Sequence, residues 1–341
     1  MRALNVLILS DGRPGHYHLA EGVAAAIARR RPVSLTKLDI TQRQWLPGRL
    51  GALLLKRQVS PRFVLGAGYG LARDTLPAAD LVISAGGDTL NANVAAARLL
   101  GAPNIFCGTL RRLPPEAFSL IMSSYARHAR LPRHLVALKP NGIDPDRLRT
   151  SDKAGVSSRL AGLLVGGDSG LFHYTKADWD HLLAFLTASH AAHGRRWVVS
   201  TSRRSPDDVA DRLLTLAARS DGPIAELIDF RVQGPGTLPR LFAGVTAILC
   251  TEDSSTMLSE AVCARLPVVG VAPRQHDFKD EEREYRAFMR DQNWCRFVPL
   301  AELTPERFQS ALAEVHPLTE NHLDRLAAQI AERLPQLFAP A

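Results

Sequence analysis

Five short segments of this 341-residue chain combine the residue types that grip phosphates and move protons. The first, "SDGRPGH" at residues 10–16, sets a carboxylate (Asp11), a guanidinium (Arg13) and an imidazole (His16) among two glycines, Gly12 and Gly15. "SAGGDTLNAN" (84–93) offers Gly86, Gly87 and Asp88, and "VGGDSGLFHYT" (165–175) offers Gly167 and Asp168. "VSTSRRSPDD" (199–208) contains Ser202, Arg203 and Arg204; "LCTEDSSTMLSEAV" (249–262) contains Glu252, Asp253, Ser254, Ser255, Thr256 and Glu260. Glycine lets a backbone approach a ligand, Ser and Thr supply short hydroxyls, and a helix starting just after such a turn points free N–H groups at an anion. Paired arginines before a helix add charge-assisted hydrogen bonds to phosphate oxygens. One such turn is commonplace, and a bare Arg203–Arg204 pair more often just meets solvent. Five in one chain point to a diphosphate or similarly polar ligand. Asp11 and His16 are both candidate general bases, with helix capping as the alternative role for Asp11. Glu260 is either a solvated helix residue or an acceptor for ribose hydroxyls.

Positioning these turns requires an α/β scaffold. Apolar runs of four to seven residues alternate with longer helical patterns along the whole chain, the signature of parallel sheets covered by helices. Strands are expected near 4–9, 33–38, 81–85, 104–107, 118–122 and 135–138, then near 161–165, 197–201, 226–230, 246–250 and 267–271. A helix is expected over 206–219, where Ser205 can cap, Pro206 suits the first helical position, and Asp207 and Asp208 favour the positive dipole end. Residues 138–160 are rich in turn formers and have no apolar period. After them the opening plan of strand, glycine-bearing loop and helix returns. The expected fold is α/β, two Rossmann-like domains facing across a cleft, because open parallel sheets bind ligands beyond the carboxyl ends of their strands.

Charge divides the chain in two. Residues 1–150 hold 21 Lys and Arg against 9 Asp and Glu, whereas residues 151–341 hold 21 against 25. A first half at +12 calls for an anionic partner, a choice among nucleic acid, membrane surface and phosphorylated substrate that charge alone does not make. The cysteines (Cys107, Cys250, Cys263 and Cys295) have no metal-ligand spacing and read as buried reduced thiols of a cytoplasmic protein. The N-terminus has no signal-peptide architecture, and no apolar run approaches the ~20 residues that span a bilayer. A soluble protein is expected, attached at most to a membrane surface. "QWLPGRLGALLLKRQ" (44–58) sets Trp45, Leu46, Leu50, Leu53 and Leu54 beside Arg49, Lys56 and Arg57. It suits either contact with an anionic membrane or packing on its own sheet.

Three segments imitate motifs. "VLGAGYG" (64–70) lacks the G-x-G-x-x-G spacing of a dinucleotide fingerprint and a clear following helix. "DWD" (178–180) has Thr175 three residues ahead of Asp178 and reads as a helix cap. "DPD" (144–146) lies in the turn-rich stretch. No credible metal-ligand set is present. A nucleotide-sugar epimerase would need the missing fingerprint and a Tyr-x-x-x-Lys pair, and none of the five tyrosines has Lys four residues on; that function is not expected.

Residues 241–285, through "TEDSSTMLSEAVCARLPVVGVAPRQH", resemble the donor-site segment of GT-B glycosyltransferases, particularly the MurG-like N-acetylglucosaminyltransferases. The matching positions are Ser255, Thr256, Ser259, Glu260, Pro267, Pro273, Gln275 and His276; Arg265 and Leu266 depart from the usual pattern. Over about residues 5–275, the elements "SDGRPGH", "GGDSGLFHYT", "TSRRSP" and "TEDSSTMLSEAV" resemble the bacterial proteins grouped with the plant mitochondrial-fission factor of the elongated-mitochondria family. Its plant members are discussed as adaptors. The resemblance implies a GT-B-like fold, with an acceptor domain over 1–145, a linker over 146–159, a nucleotide-sugar donor domain over 160–316 and a C-terminal helix over 317–341 that could close against either domain. It implies ribose binding by Glu260, diphosphate binding by Ser254, Ser255 and Thr256, sugar contacts from Gln275 and His276, and base contacts from Gln233 and Gly234. His16 would face the diphosphate or the acceptor hydroxyl. The function implied is transfer of a sugar from a nucleotide-diphosphate sugar to an anionic envelope or lipid-linked acceptor, with neither metal nor separate cofactor and no nucleic acid. The alternative is a catalytically silent nucleotide-sugar-binding adaptor at the inner-membrane surface, touching it through 44–58.

Overall fold

A computed structural model describes residues 2–148 and 159–339. Of the expected linker, 149–158 lie outside the described residues. Contacts gather the chain into two units, Met1–Gly142 with His322–Ala341, and Ile143–Asn321.

The first unit begins β1 (Leu4–Ser10), α1 (Pro14–Ala28), β2 (Val33–Asp39), α2 (Gly48–Lys56), α3 (Pro61–Tyr69) and β3 (Leu81–Ala85). It continues α4 (Leu90–Leu100), β4 (Asn104–Cys107), β5 (Leu120–Ser123) and β6 (His134–Val136). Every pairing is parallel, in the order β2-β1-β3-β4-β5-β6. The inner strands β1, β3, β4 and β5 are covered on both faces and are mainly apolar without alternation, while edge strand β2 is largely exposed. Along β1, Leu4, Val6 and Ile8 enter one core with α1, while Leu7 and Leu9 enter another with α2, α3 and α4.

The second unit runs α5 (Pro145–Leu148), β7 (Leu160–Leu164), β8 (Phe172–His173), α6 (Lys176–His193), β9 (Arg196–Ser200), α7 (Asp207–Ala217) and β10 (Ile224–Ile228). Then follow α8 (Phe230–Gln233), α9 (Leu238–Ala243), β11 (Ile248–Thr251), α10 (Ser255–Cys263) and β12 (Val268–Ala272). The unit ends with β13 (Gln275–His276), α11 (Asp280–Asp291), β14 (Cys295–Pro299) and α12 (Pro305–Ala313). Its main sheet is parallel in the order β10-β9-β7-β11-β12-β14. Counted within the unit this is 3-2-1-4-5-6, the dinucleotide-fold order. Trp197, Phe185 and Phe308 interlock at centroid distances of 5.5–5.7 Å in its core. The last helix, α13 (His322–Arg333), packs Leu323, Leu326 and Ile330 into the α1 face of the first unit.

Several local expectations change. The edge strand β14 falls where none was expected; a charged Arg296 in a short run hides its apolar character. The helix expected over 206–219 spans Asp207–Ala217, and Ser205 does not cap it. Instead Ser205 Oγ accepts from Ser202 N–H and donates to Val165 O, both at 2.8 Å, stitching the "TSRRS" turn to the end of β7. "VLGAGYG" lies within and just past α3, and so is no strand-to-helix turn at all. Thr175 and Asp178 do form the capping box of α6. Asp144 and Asp146 accept from Asn321 Nδ2, and Asp146 pairs with Arg265. All four cysteines are buried free thiols.

Candidate functional site

In open parallel sheets the chain reverses direction at a switch point, leaving a crevice outside the carboxyl ends of two neighbouring strands. In the first unit that point lies between β1 and β3, and the loops leaving them carry Asp11 to His16 and Gly86 to Asp88. In the second it lies between β7 and β11, and their loops carry Gly167, Asp168 and Glu252 to Thr256.

The first of these sites is built around one contact. His16, in the first turn of α1, places Nδ1 at 2.7 Å from Asp11 Oδ2. A carboxylate only accepts, so Nδ1 bears the proton and Nε2 is left as the basic nitrogen. The Asp11 carboxylate is 5 % exposed and the His16 side chain 31 %. The Asp11 carboxylate is thus buried against His16, while the imidazole stays partly exposed. Asp11 Oδ1 also accepts from Arg13 N–H at 3.2 Å, but α1 itself has no side-chain cap. Gly12, at φ +76°, makes the left-handed bend after Asp11, and Gly15 opens the helix with free space around it. Gly86 has a specific duty. At φ +89° it lies under His16, and a Cβ there would come within 2.2 Å of Nδ1. Arg13 reaches Asp88 at 3.6 Å, while Gly87 and Asp88 are exposed.

In the second unit, three loops are bound to one another. Gly166 N–H donates to Thr251 Oγ1 at 2.7 Å, linking the ends of β7 and β11. Cβ atoms at Gly166 and Gly167 would strike Asp253 Oδ1 and Arg204 O at 2.1 and 1.9 Å, so only glycines admit this approach. Arg204 donates through Nε and Nη2 to Asp253 Oδ2. The Asp253 side chain is wholly inaccessible, with Tyr174 OH also donating to it at 3.4 Å. Arg203 is exposed and has no side-chain partner among the described residues. Ser202 Oγ accepts from Arg204 N–H, and Asp168 Oδ1 from Tyr174 N–H.

Two of the residues expected to contact a ligand have their carboxylates engaged within the protein. Glu252 is buried against Arg286, whose Nε donates to its carboxylate at 2.7 Å and whose Nη2 donates to its carbonyl at 2.6 Å. Burial pushes its pKa up, opposed by the adjacent guanidinium. Asp253 likewise spends its carboxylate on Arg204. Both carboxylates are buried and hold the loop to neighbouring elements. Arg286, which also bonds Glu282 and lies 4.3 Å from the Phe278 ring centroid, is the organising residue that sequence reasoning missed.

Ser254 accepts from Met257 N–H as the N-cap of α10, and Ser255 and Thr256 form its first turn. Glu260 lies half-buried further along α10 with no side-chain partner among the described residues, and burial raises its pKa to about 7. Gln275 and His276 form β13, which pairs with β8, so both are drawn against the loop after β7. His276 Nδ1 donates to Pro273 O at 2.7 Å, leaving Nε2 free to accept. Gln233 and Gly234 stand after edge strand β10. Their link to the other loops runs through Thr201, whose hydroxyl accepts from Phe230 N–H. Among the described residues, no group of three or more His, Cys, Asp or Glu could hold a metal ion.

The 44–58 segment divides between two environments. Leu46, Ala52 and Leu55 are buried, and Gly51 lets α2 lie against Asn91 of α4. Trp45, Leu50 and Leu53 stay exposed, joined by Phe63 of α3. No helix among the described residues is long and apolar enough to cross a membrane.

Solved structures share this architecture. MurG of Acinetobacter baumannii is 15% identical, with a TM-score of 0.51 and coverage of 96% of this chain and 99% of that one. A putative UDP-N-acetylglucosamine 2-epimerase from Listeria monocytogenes is 11% identical, with a TM-score of 0.57 and coverage of 99% and 98%. The complex of S. aureus MnaA with UDP is 12% identical, with a TM-score of 0.57 and coverage of 98% of each. At these identities the likeness establishes the fold, which is GT-B-like. The same fold likeness extends to an epimerase, so the fold does not support the argument made from the sequence against that class. No curated protein matches the sequence. The family model for mitochondrial fission ELM1 matches residues 14–334, from the start of α1 past the end of α13, and the chain belongs to that family.

Proposed function

We propose that this chain is a glycosyltransferase that moves a sugar from a nucleotide-diphosphate sugar to an anionic, cell-envelope or lipid-linked acceptor. The observation that carries the reading is the Asp11–His16 contact, a buried carboxylate orienting an outward imidazole. Such a pair suits general-base chemistry. His16 Nε2 takes the proton of the acceptor hydroxyl as its oxygen bonds to the sugar carbon and the bond from that carbon to the donor's diphosphate breaks. Arg203, Arg204 and the N-terminus of α10 meet the charge that develops on the leaving diphosphate. Glu260 accepts from the ribose hydroxyls, Gln275 and His276 contact the sugar, and Gln233 and Gly234 contact the base. None of these roles calls for a metal.

The exposed Trp45, Leu50, Leu53 and Phe63, flanked by Arg49, Lys56, Arg57 and Arg62, fit peripheral contact with an anionic membrane where a lipid-linked acceptor resides. A thermal-shift screen against UDP-, GDP-, ADP- and CMP-sugars, repeated with Glu260→Ala, tests the donor site. Binding by the wild type and its loss in the variant are expected; no binding at millimolar concentration by the wild type overturns the assignment. Product assays separate the activities, since transfer needs an acceptor whereas epimerisation consumes the donor alone. In the transfer assay His16→Ala should lower kcat by about 10²–10⁴-fold. Nucleotide-sugar binding without turnover in any extract would instead favour an adaptor.

A further inference from the structure

The first unit contains a cavity of about 500 Å³ whose wall includes Asp11, Arg13, Gln42, Arg43, Asp88 and Arg112. Its charges do not all cancel. Asp11 is engaged by His16, and Asp88 by Arg13 at 3.6 Å. Arg43 and Arg112 have no side-chain hydrogen bond or ion pair among the described residues. Both are exposed, and each packs its guanidinium over a glycine. The Arg112 guanidinium lies over Gly48, where a Cβ would come within 2.1 Å of Nη1, and Gln42 Nε2 would be 3.2 Å from the same point. Arg43 lies over Gly70 in the same way, with Nη2 at 2.2 Å from a Cβ there, and its own N–H donates to Gly68 O at 2.7 Å. Two glycines thus make room for two guanidinium groups bordering one cavity, with an amide donor beside one of them. Arginine's planar fork matches phosphate oxygens bidentately, and two unpaired forks suit a doubly charged group better than a lone carboxylate.

We propose that this cavity is a phosphate-binding pocket, formed by Arg43, Arg112 and Gln42, that takes the phosphate or diphosphate group of the acceptor. The assignment to an acceptor rests on the transferase reading, because Asp11, the partner of His16, is part of the same wall. The shared chemistry is a phosphate group, borne either by a soluble molecule or by a lipid.

The test uses the full chain, with inorganic pyrophosphate as the calorimetric probe. The Arg43→Gln/Arg112→Gln double variant should bind pyrophosphate at least about tenfold more weakly, with each Arg→Lys variant falling between. Arg203→Gln, in the other unit, serves as the control for pyrophosphate bound at the donor loops. Unchanged affinity in the double variant, with loss in Arg203→Gln, overturns the pocket. Circular dichroism melting of every variant separates lost binding from lost fold, and Gln42→Ala supplies a milder second variant expected to weaken binding severalfold. Sedimentation with phosphatidylcholine vesicles containing phosphatidic acid, against vesicles containing phosphatidylserine, distinguishes the sources. Retention on phosphatidic acid alone that Arg43→Gln/Arg112→Gln abolishes identifies a lipid phosphate; pyrophosphate binding without such retention identifies a soluble one. Should the pocket bind pyrophosphate through Arg43 and Arg112 while no nucleotide sugar binds the wild type, the pocket stands and the transferase reading falls.

Discussion

At the scale of single residues, the positions of two protons matter most. Gly86 tests the first. An alanine there must adopt φ +89°, and its Cβ would meet His16 Nδ1. Gly86→Ala should therefore cost about 1–3 kcal/mol in stability through backbone strain, yet lower transfer by about 10²-fold or more by displacing the imidazole. Transfer within a factor of two of wild type, in a variant that melts cooperatively, would remove His16 from the role of base. The second proton belongs to Glu260. Its folded pKa, raised by burial from 4.5 to about 7, means that the native state binds this proton more tightly than the unfolded chain does. Stability is therefore undiminished below pH 4.5, falls as pH rises through that interval, and stays reduced above about 7. Glu260→Gln should raise Tm at pH 8 and leave it nearly unchanged at pH 4, the gain being no more than about 3 kcal/mol. Nucleotide binding should show the opposite preference, weakening below about pH 7 as the carboxylate loses its charge. A Tm gain equal at both pH values would contradict the half-buried, unpaired carboxylate.

At the scale of elements, the loops were legible where composition alone defines them and illegible where a distant partner does. Glycines and hydroxyls between an apolar run and a helical pattern marked the ends of β1, β3, β7, β9 and β11, because those residue types follow from close backbone approach. Glu252 and Asp253 had the same surface signature as Ser254 and Thr256. What distinguishes them is Arg286, 34 residues later, and Arg204, 49 residues earlier, and such pairings emerge only when the sheet assembles. Ser205 failed as a cap for a similar reason, since its hydroxyl found Val165 O on a neighbouring strand. The Glu252–Arg286 pair makes the consequence measurable. Arg286→Met would leave Glu252 as a buried carboxylate without its cation, at a cost of about 3–5 kcal/mol in urea unfolding. Adding Glu252→Gln should recover much of that loss. A single variant costing under about 1 kcal/mol would show the pair to be dispensable, and the loop after β11 would need another anchor.

At the scale of the molecule, the least legible feature was the destination of the last helix. Its amphipathic pattern announces a buried face but names no partner, because any exposed apolar surface would satisfy it. In the structure Leu323, Leu326, Ile330, Leu334 and Leu337 enter the core that α1 shares with β1 and β3, with α1 and β1 more than 290 residues upstream in sequence. Arg31 Nη1 reinforces the seam by donating to Leu337 O at 2.7 Å. Five buried aliphatic side chains at about 1.5–3 kcal/mol each sum to roughly 10 kcal/mol, comparable with the whole stability of a domain. A chain ending at Asn321 should therefore lose the fold of the first unit, detected as dye binding to exposed apolar surface and as protease sensitivity within residues 2–142. Arg29→Ala provides the contrast, for its ion pair with Asp324 is solvent-exposed on the acidic side and should contribute under about 1 kcal/mol. If the shortened chain kept protection across β1 and β3, the packing of α13 would be ornamental; if Arg29→Ala alone unfolded the unit, charge and not buried area would be what joins the two ends of the chain.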